Sequence, residues 1–369
     1  MNVKLFTNFK RGRGMIAAAI WLLGSSSSRA VILLDTADPG VNTAAPAGDL
    51  AGSGWQYEGS WGGFLGTPIS PHFFVSAAHI GQAGSNFNFN GSTYTIVRSF
   101  SLPGSDLLIW QVNETFSSFA PLYSKRDEVS QHLVVTGRGT QRGTEVTLDG
   151  SARGWSWGNG DGVQRWGEND VAGIVPYNGH DLINATFDQH ILPNDHPNES
   201  HLSSGDSGGA IFLKDNGDGA WKLAAINYAV DDLYTAPMPS TQFTAAIYDA
   251  RGFYTFDGAT FTQIGGNAPV PTGFYGSRIS SELAWICSVM ANPQVGREGD
   301  FLTLTYTKLL VAPTELTYVV EQSNDLIAWS TAMTQDEPGP TTGDVQTIKA
   351  KIDVGTSSAL LARLRVTRP

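Results

Sequence analysis

The sequence predicts an all-β protein built from barrels or sandwiches. Short runs of alternating apolar and polar residues recur along the chain, for example at 87–89, 94–97, 134–136 and 146–148. Gly, Asn and Asp residues separate these runs. Short strands broken by such turn residues are typical of all-β folds. Beyond the N-terminus, no apolar run approaches the length that spans a membrane, and no internal repeat is apparent.

The first 30 residues predict a secretory signal peptide. Four basic residues precede the apolar stretch 15–23, and Ser28-Arg29-Ala30 follows as a small-x-small cleavage signal. Nine apolar residues are too few to span a bilayer. The alternative is that this segment is an amphipathic start of the domain. The signal-peptide interpretation predicts a secreted protein, either extracellular or periplasmic.

The rest of the chain is strongly acidic. After residue 30 it carries 18 basic and 34 acidic residues, a net charge of −16. This charge argues against nucleic acid and anionic membranes as partners. Cys287 is the single cysteine, so no intramolecular disulfide can form and stability must come from core packing. The missing disulfides and the basic N-terminus suggest a secreted bacterial protein.

The strongest functional signal is Gly205-Asp206-Ser207-Gly208-Gly209. Glycines allow a tight turn and leave room for a substrate beside the serine. The backbone N–H groups of Gly205 and Ser207 can then point at one spot and stabilise an oxyanion. The alternative is an ordinary loop, because Gly, Asp and Ser are common turn residues.

A serine nucleophile needs a base, and that base needs an orienting carboxylate. His79 follows the apolar run 73–78, which places it at a strand end. Asp106 precedes the apolar run 107–110, which places it at the mouth of a buried strand. A buried carboxylate there is costly unless it is hydrogen-bonded. The less specific alternatives are a histidine that caps a strand and an acid that begins one.

Together these strings resemble the trypsin/chymotrypsin-like serine proteases over about residues 50–290. SAAH ends at His79, DLLI begins at Asp106 and GDSGGA contains Ser207, in the family's order His, Asp, Ser. The segment 271–286 is similar to the family's last strand and C-terminal helix. The resemblance implies two antiparallel six-stranded β-barrels of the trypsin-like type with a C-terminal helix.

The resemblance also implies a serine endopeptidase that cleaves proteins or peptides without a cofactor or a metal. Ser207 would attack the scissile carbonyl, His79 would transfer its proton, and Asp106 would hold the imidazole tautomer. The alternatives are a catalytically idle homologue that acts by binding, and an esterase with the same triad. Asp127 is the competing acid, but its neighbours Lys125–Glu128 are typical of a solvated turn.

Three positions depart from the family pattern. Ile80 and Ser203 stand where the family usually has cysteines, and Ala210 stands where it usually has proline. The family's usual disulfides are therefore absent. The spacing of 27 residues between His79 and Asp106 is also short, which predicts trimmed loops in the first half.

The family pattern places His201, Tyr228 and Gly273 in the pocket for the substrate side chain. His201, six residues before the nucleophile, would form its floor, so no acid is expected there to bind Lys or Arg. We expect an exposed loop histidine, which is mostly neutral at pH 7. This favours small or apolar side chains over acidic ones.

In the family's animal members, a freed apolar N-terminus pairs with the acid that precedes the nucleophile, here Asp206. Cleavage after Ala30 would leave the apolar start Val31–Leu34. However, the Pro-, Gly- and Ala-rich segment 35–51 predicts a loose arm. The sequence therefore favours internal donors to Asp206 over an inserted N-terminus.

The segment 280–290 predicts the C-terminal helix. It begins with a serine and then carries apolar residues at helical spacing, namely Leu283, Ile286, Cys287 and Met290. We therefore expect Cys287 to be a small buried hydrophobe rather than a reactive thiol.

After Asn292 the alternating pattern resumes at 301–307, 316–322 and 345–354. These strands predict a small β-sandwich of ordinary domain size. Such a module could bind a surface or a polysaccharide, or act as a spacer. The predicted division of the chain is a signal peptide at 1–30, a protease domain at 31–292 and a C-terminal module at 293–369.

Overall fold

The computed structural model describes most of the chain after residue 30. The described residues are 16–17, 31–189, 196–231, 234–235, 242–256, 259–310, 316–342, 344–355 and 360–368. Apart from 16–17, the predicted signal peptide lies outside the described residues. Among the described residues, no helix is long and apolar enough to cross a membrane.

Strands dominate the described chain. The first are β1 (Ile16–Ala17), β2 (Ile32–Leu33), β3 (Gly59–Trp61), β4 (Phe64–Ser70), β5 (Phe73–Ala77), β6 (Asn86–Phe89), β7 (Ser92–Ser101), β8 (Leu107–Val112) and β9 (His132–Gly137). Next come β10 (Thr140–Leu148), β11 (Ser151–Gly160), β12 (Arg165–Asp170), β13 (Gly173–Tyr177), β14 (His180–Thr186), β15 (Ser200–His201), β16 (Ala210–Lys214) and β17 (Trp221–Asp231). The next group is β18 (Ala245–Ile247), β19 (Tyr254–Phe256), β20 (Phe261–Gln263) and β21 (Gly273–Arg278), followed by the helix α1 (Ile279–Ala291). The last are β22 (Gln294–Glu298), β23 (Phe301–Leu309), β24 (Thr317–Ser323), β25 (Ser330–Thr331), β26 (Thr334–Thr342), β27 (Val345–Asp353) and β28 (Leu361–Thr367). Short 3-10 helices lie at Gly48–Leu50, Trp55–Tyr57 and Ala78–Ile80.

The strands between residues 59 and 112 form a closed six-stranded barrel. Its strands follow the order β3-β4-β5-β8-β7-β6. Aromatic side chains fill it, and Trp61, Phe74 and Phe87 are completely buried. Their rings stack or meet edge to face, for example Phe74 on Phe87 at 4.1 Å. Such pairs add stability beyond the area they bury.

The second half is a large antiparallel sheet. Its strands follow the path β12-β9-β16-β17-β21-β14-β13, and β1 pairs with β17. A three-stranded sheet, β10-β11-β18, lies outside this path, and β2 pairs with β15. The two halves share an apolar core that includes Val75 from the first barrel and Phe212 from the second sheet. The predicted all-β class is confirmed.

The helix α1 follows the last strand of the second sheet, as predicted. Leu283, Ile286 and Cys287 are buried on its inner face. Cys287 is 1% exposed, and burial raises the pKa of its thiol to about 12, so it is an inert hydrophobe. The helix begins at Ile279 without a side-chain cap, because its N-cap residue is Arg278, whose guanidinium can only donate and pairs with Glu128.

The chain after α1 forms two further sheets. One has the order β22-β23-β27-β26 and the other β25-β24-β28. Alternate residues such as Leu304 and Ile352 face a shared apolar core. Leu309 and Val345 join the cluster that contains Leu283 of α1, so these sheets pack against the helix and the core that the two halves share.

Candidate active site

Three of the predicted site residues form a continuous hydrogen-bonded chain. Nε2 of His79 lies 2.7 Å from Oγ of Ser207. Nδ1 of His79 lies 2.8 Å from Oδ2 of Asp106. Because an ionised carboxylate can only accept, Nδ1 must carry the proton that it donates to Asp106. Nε2 is then free to accept the proton of the Ser207 hydroxyl.

The barrel register brings His79 and Asp106 together. Ala77, the last residue of β5, pairs with Leu107, the first residue of β8. The next turn places the backbone N–H of His79 at 2.8 Å from Oδ1 of Asp106. The backbone N–H of Ala78 donates to the carbonyl of Asp106 at 2.6 Å. The acid is therefore fixed by backbone donors as well as by the imidazole.

The competing acid lies elsewhere. Asp127 accepts a hydrogen bond from the hydroxyl of Tyr123 at 2.7 Å. The prediction of a solvated turn around it is wrong for Glu128, which is fully buried and bound to Arg278 at 2.6 Å. Arg278 lies 150 positions away in the sequence, so local composition could not reveal this pair.

Two glycines determine the shape of the nucleophile loop, the segment 205–209 around Ser207, for steric reasons. Gly205 has a φ of 94°, a left-handed conformation that strains other residues. At Gly208, a Cβ atom would lie 2.4 Å from Oγ of Ser76 and 2.7 Å from the carbonyl of Leu65. The loop can therefore pack against the first barrel only with glycine at this position.

The same loop leaves backbone donors available. The N–H of Gly208 donates to Asn227 at 3.2 Å, and the N–H of Gly209 donates to Asp206 at 3.1 Å. Within the described part of the chain, the N–H groups of Gly205 and Ser207 have no protein acceptor. These are the two donors that the sequence assigns to the oxyanion hole.

Asp206 is buried and surrounded by donors. Its carboxylate accepts from the backbone N–H groups of Gly139 and Ser203, each at 2.7 Å, and from the Ser203 hydroxyl at 3.0 Å. The backbone N of Val31 lies 3.2 Å from Oδ1 and 3.3 Å from Oδ2. Burial raises the pKa of Asp206 to about 6, although these hydrogen bonds lower it.

The internal donors that the sequence favoured are therefore present, and the backbone N of Val31, which it did not favour, reaches Asp206 as well. The N-terminal arm is docked, with Val31, Ile32, Leu33 and Leu34 all buried. Ile32 and Leu33 pair with His201 and Ser200 as a two-stranded sheet. The apolar residues supply the burial that a loose arm lacks, and both types of donor reach Asp206.

His201 is a buried strand residue, which contradicts the expected exposed loop position. It is 0% exposed, and its ring meets Phe187 and Phe274 edge to face. Nδ1 lies 2.6 Å from the carbonyl of Leu202, and Nε2 lies 3.2 Å from Oγ1 of Thr272. Burial lowers the pKa of His201 to about 4, although hydrogen bonds to the backbone raise it. The ring is neutral at pH 7, as expected.

Gly273 lies next to an acid that the sequence analysis missed. Its N–H donates to Oδ2 of Asp231 at 2.6 Å, and the hydroxyl of Tyr275 donates to Oδ1 at 2.8 Å. A Cβ at Gly273 would lie 2.7 Å from Nδ2 of Asn184. Asp231 ends the strand that contains Tyr228, and no local motif marks it.

Tyr228 lies beside His79 rather than beside His201. Its ring meets that of His79 edge to face, with 5.9 Å between centroids. Burial raises the pKa of Tyr228, and the neighbouring Tyr177 raises it further. A polar cavity of about 100 Å³ lies between these tyrosines and Asp106, and neither His201 nor Gly273 lines it.

The comparisons with known proteins give a fold likeness at low identity. No protein-family model and no curated protein matches the sequence. Similar solved structures include the secreted serine protease VesC from Vibrio cholerae, with 9% identity over 86% of this chain and 70% of that chain and a TM-score of 0.39. Kallikrein-related peptidase 10 has 13% identity over 67% of this chain and 100% of that chain, with a TM-score of 0.37.

A third similar structure is the passenger domain of the plasmid-encoded toxin, an autotransporter enterotoxin from enteroaggregative Escherichia coli. It has 12% identity over 67% of this chain and a TM-score of 0.37, and this chain spans only 24% of its length. The topology of the described strands carries the fold assignment. A closed six-stranded barrel, a second antiparallel sheet and a helix after its last strand form a trypsin/chymotrypsin-like protease fold, as predicted.

Proposed function

We propose that this protein is a secreted serine endopeptidase that hydrolyses peptide bonds through an acyl-enzyme. The observation that carries the proposal is the chain of contacts from Asp106 through His79 to Ser207, at 2.8 and 2.7 Å. Three independently placed residues meet in the order that nucleophilic catalysis requires. The side chains of His79 and Asp106 are 20% and 11% exposed, which suits a site that is shielded yet open to substrate.

In the first step, Oγ of Ser207 attacks the scissile carbonyl while Nε2 of His79 accepts the hydroxyl proton. Asp106 stabilises the resulting imidazolium and remains ionised. The N–H groups of Gly205 and Ser207 stabilise the oxyanion, and the fact that neither has an acceptor among the described residues supports this role. His79 then gives its proton to the leaving amine. Water repeats the sequence to release the acid.

Cleavage after Ala30 would both remove the signal peptide and activate the enzyme. The amine of Val31 would replace a peptide N–H that already lies 3.2 Å from Asp206. An ammonium would convert this contact into a charge-assisted pair at a buried carboxylate. Val31 also has a φ of 41°, which is unfavourable for a β-branched residue. Cleavage removes that strain, because a terminal residue has no φ restraint.

For the substrate side chain next to the scissile bond, we propose small or apolar groups. His201 is neutral and has its ring nitrogens engaged, so it offers no positive charge to an acidic side chain. Asp231 is the acid closest to the predicted pocket, but Gly273 and Tyr275 already donate to it. A carboxylate satisfied in this way competes poorly for a basic side chain.

The test is labelling with a fluorophosphonate probe, which reacts only with an activated serine. We expect one label per chain on Ser207 of the processed protein, and none on the Ser207→Ala or His79→Ala variants. The absence of labelling in the correctly folded processed protein would support the idle homologue instead. An esterase would also be labelled, so peptide hydrolysis has to be measured separately.

A further inference from the structure

Two histidines and a glutamate meet at the edge of the second sheet, away from the triad. His132 is the first residue of β9, Glu168 lies in β12, and His196 lies just before β15. Nε2 of His132 lies 3.0 Å from Oε1 of Glu168, and Nδ1 of His196 lies 3.8 Å from the same oxygen. The three donor atoms all lie within 4.8 Å of one another.

Hydrogen bonds in this cluster orient the ring of His196 and the carboxylate of Glu168. Nε2 of His196 lies 3.0 Å from Oδ1 of Asp170, so this nitrogen carries the proton and Nδ1 keeps its lone pair. Nδ2 of Asn198 donates to Oε2 of Glu168 at 2.5 Å, which orients Oε1 toward the histidines. Nε2 of His132 is buried, and its contact with Glu168 is not aligned as a hydrogen bond.

This arrangement has the ligand types and the supporting shell of a transition-metal site. Metal-bound histidines commonly donate their second ring nitrogen to a carboxylate, as His196 does to Asp170. Two ligand atoms at about 2.0–2.1 Å from a zinc ion lie about 3.4 Å apart at the tetrahedral angle. The two contacts with Glu168, at 3.0 and 3.8 Å, bracket that value.

We propose that His132, Glu168 and His196 bind one divalent transition-metal ion of the zinc class. Nε2 of His132, Oε1 of Glu168 and Nδ1 of His196 are the ligands, and water takes the fourth position. The histidine rings are stacked, with 4.1 Å between centroids and 8° between planes, so at least one ring has to turn out of the stack before both lone pairs point at the ion. The side chain of Glu168 is only 4% exposed, which gives the ion a fixed anchor.

The ion would hold the segment that leads into β15 against the second sheet. His132 and Glu168 belong to paired strands, whereas His196 belongs to the segment that leads into β15. That strand contains His201 and pairs with the N-terminal arm. An ion that links the His196 segment to the sheet therefore restrains the position of β15, and with it His201 and the nucleophile loop that follows.

Zinc binding is best measured on the whole chain with Ser207→Ala, without a histidine tag. This background prevents self-digestion and makes the result independent of the proposed peptidase activity. Calorimetric titration should show one zinc ion per chain. At a free zinc concentration 100-fold above Kd, the melting temperature should rise by about 5 °C. Cobalt in place of zinc should give the visible absorption of a tetrahedral site.

Variants separate a built site from casual surface binding. His132→Ala, Glu168→Gln and His196→Ala should each abolish the stoichiometric binding and the cobalt absorption. Asp170→Asn should weaken affinity by about 10–100-fold, because Asp170 positions His196. His72→Asn, which removes a histidine from the first barrel, is the matched control and should bind as tightly as the parent.

Two results would overturn the proposal. One is an absence of stoichiometric binding by the folded parent chain, which would leave the cluster as a histidine–carboxylate contact without a metal. The other is zinc binding that survives in His132→Ala and His196→Ala with unchanged affinity. If Glu168→Gln fails to fold, the cobalt spectrum of the parent and the affinity of Asp170→Asn still decide the question.

Discussion

Histidine and carboxylate side chains meet at two places in this protein, and their contacts are arranged differently. One group, around His79, lies where the first barrel meets the second sheet. The other, the edge cluster of His132, Glu168 and His196, lies at the edge of the second sheet. In the proposed triad, each ring nitrogen of His79 has one directed partner, Asp106 on one side and Ser207 on the other. In the edge cluster, His132 and His196 share one oxygen of Glu168. A linear arrangement moves a proton, whereas a convergent arrangement suits an ion. The contact between histidine and carboxylate alone therefore does not define the chemistry.

The first prediction breaks the linear arrangement and has the largest expected effect. Ser207→Ala and His79→Ala should each lower kcat for peptide hydrolysis by about 10⁶-fold, because the triad members act as a unit. The double variant should be no worse than either single variant. Steady-state assays with circular dichroism check activity and fold together.

The acid of the proposed triad is tested by comparing Asp106→Asn with Asp127→Asn. The second variant is the matched control, because Asp127 binds Tyr123 rather than His79. Asp106→Asn should be strongly impaired, because the histidine loses its tautomer. If Asp106→Asn retains near-full activity, the assignment of the acid is wrong.

The second prediction concerns Asp206, a carboxylate that binds backbone donors instead of a histidine. A few extra residues before Val31 should lower kcat by about 100–5,000-fold, because breaking a buried ion pair costs about 3–5 kcal/mol and each 1.36 kcal/mol is tenfold. The control carries a protease site in the extension, and trimming back to Val31 should restore activity. Equal kcat for the extended and trimmed forms would eliminate the inserted N-terminus.

The third prediction concerns His201, a histidine that has no carboxylate partner. Its pKa is about 4 in the folded chain and about 6.5 in an unfolded one. Above pH 6.5 both states are neutral, so nothing is lost. As the pH falls toward 4, only the unfolded state binds the proton, and wild-type stability should drop by about 3 kcal/mol relative to His201→Gln.

Urea unfolding of the Ser207→Ala chain, with and without His201→Gln, at pH 7.5 and pH 4.5 measures this difference. Parallel losses in the two proteins would show that His201 is not the titrating group. His79 is present in both proteins, so the difference between them reports on position 201 alone.

Residues that lie in short sequence motifs could be predicted from the sequence. Contacts between residues far apart in the chain could not be predicted in this way. SAAH, DLLI and GDSGGA each contain a residue of the triad, and the strand register then brings His79 beside Asp106. By contrast, the contact of Val31 with Asp206 spans 175 positions, and the sequence offered it only as the less favoured alternative. Because such contacts depend on how the strands pack, no local pattern encodes them.

The edge cluster illustrates the same limit. His132 pairs in register with Asp170, so a shift of two residues along β12 reaches Glu168. His196 arrives from a separate segment, and none of the three residues lies in a metal-binding motif. Similarly, Asp231 was missed because only the pairing of β17 with β21 brings it to Gly273.

The most direct test of the central claim is a peptide-library digest with the processed chain beside its Ser207→Ala variant. New termini are identified by mass spectrometry. We predict many cleavages by the active chain, mainly after small or apolar residues, and none by the variant. Cleavage mainly after Lys or Arg would contradict the pocket assignment and identify Asp231 as the specificity residue. An intact library in both digests would contradict the assignment of this protein as an endopeptidase.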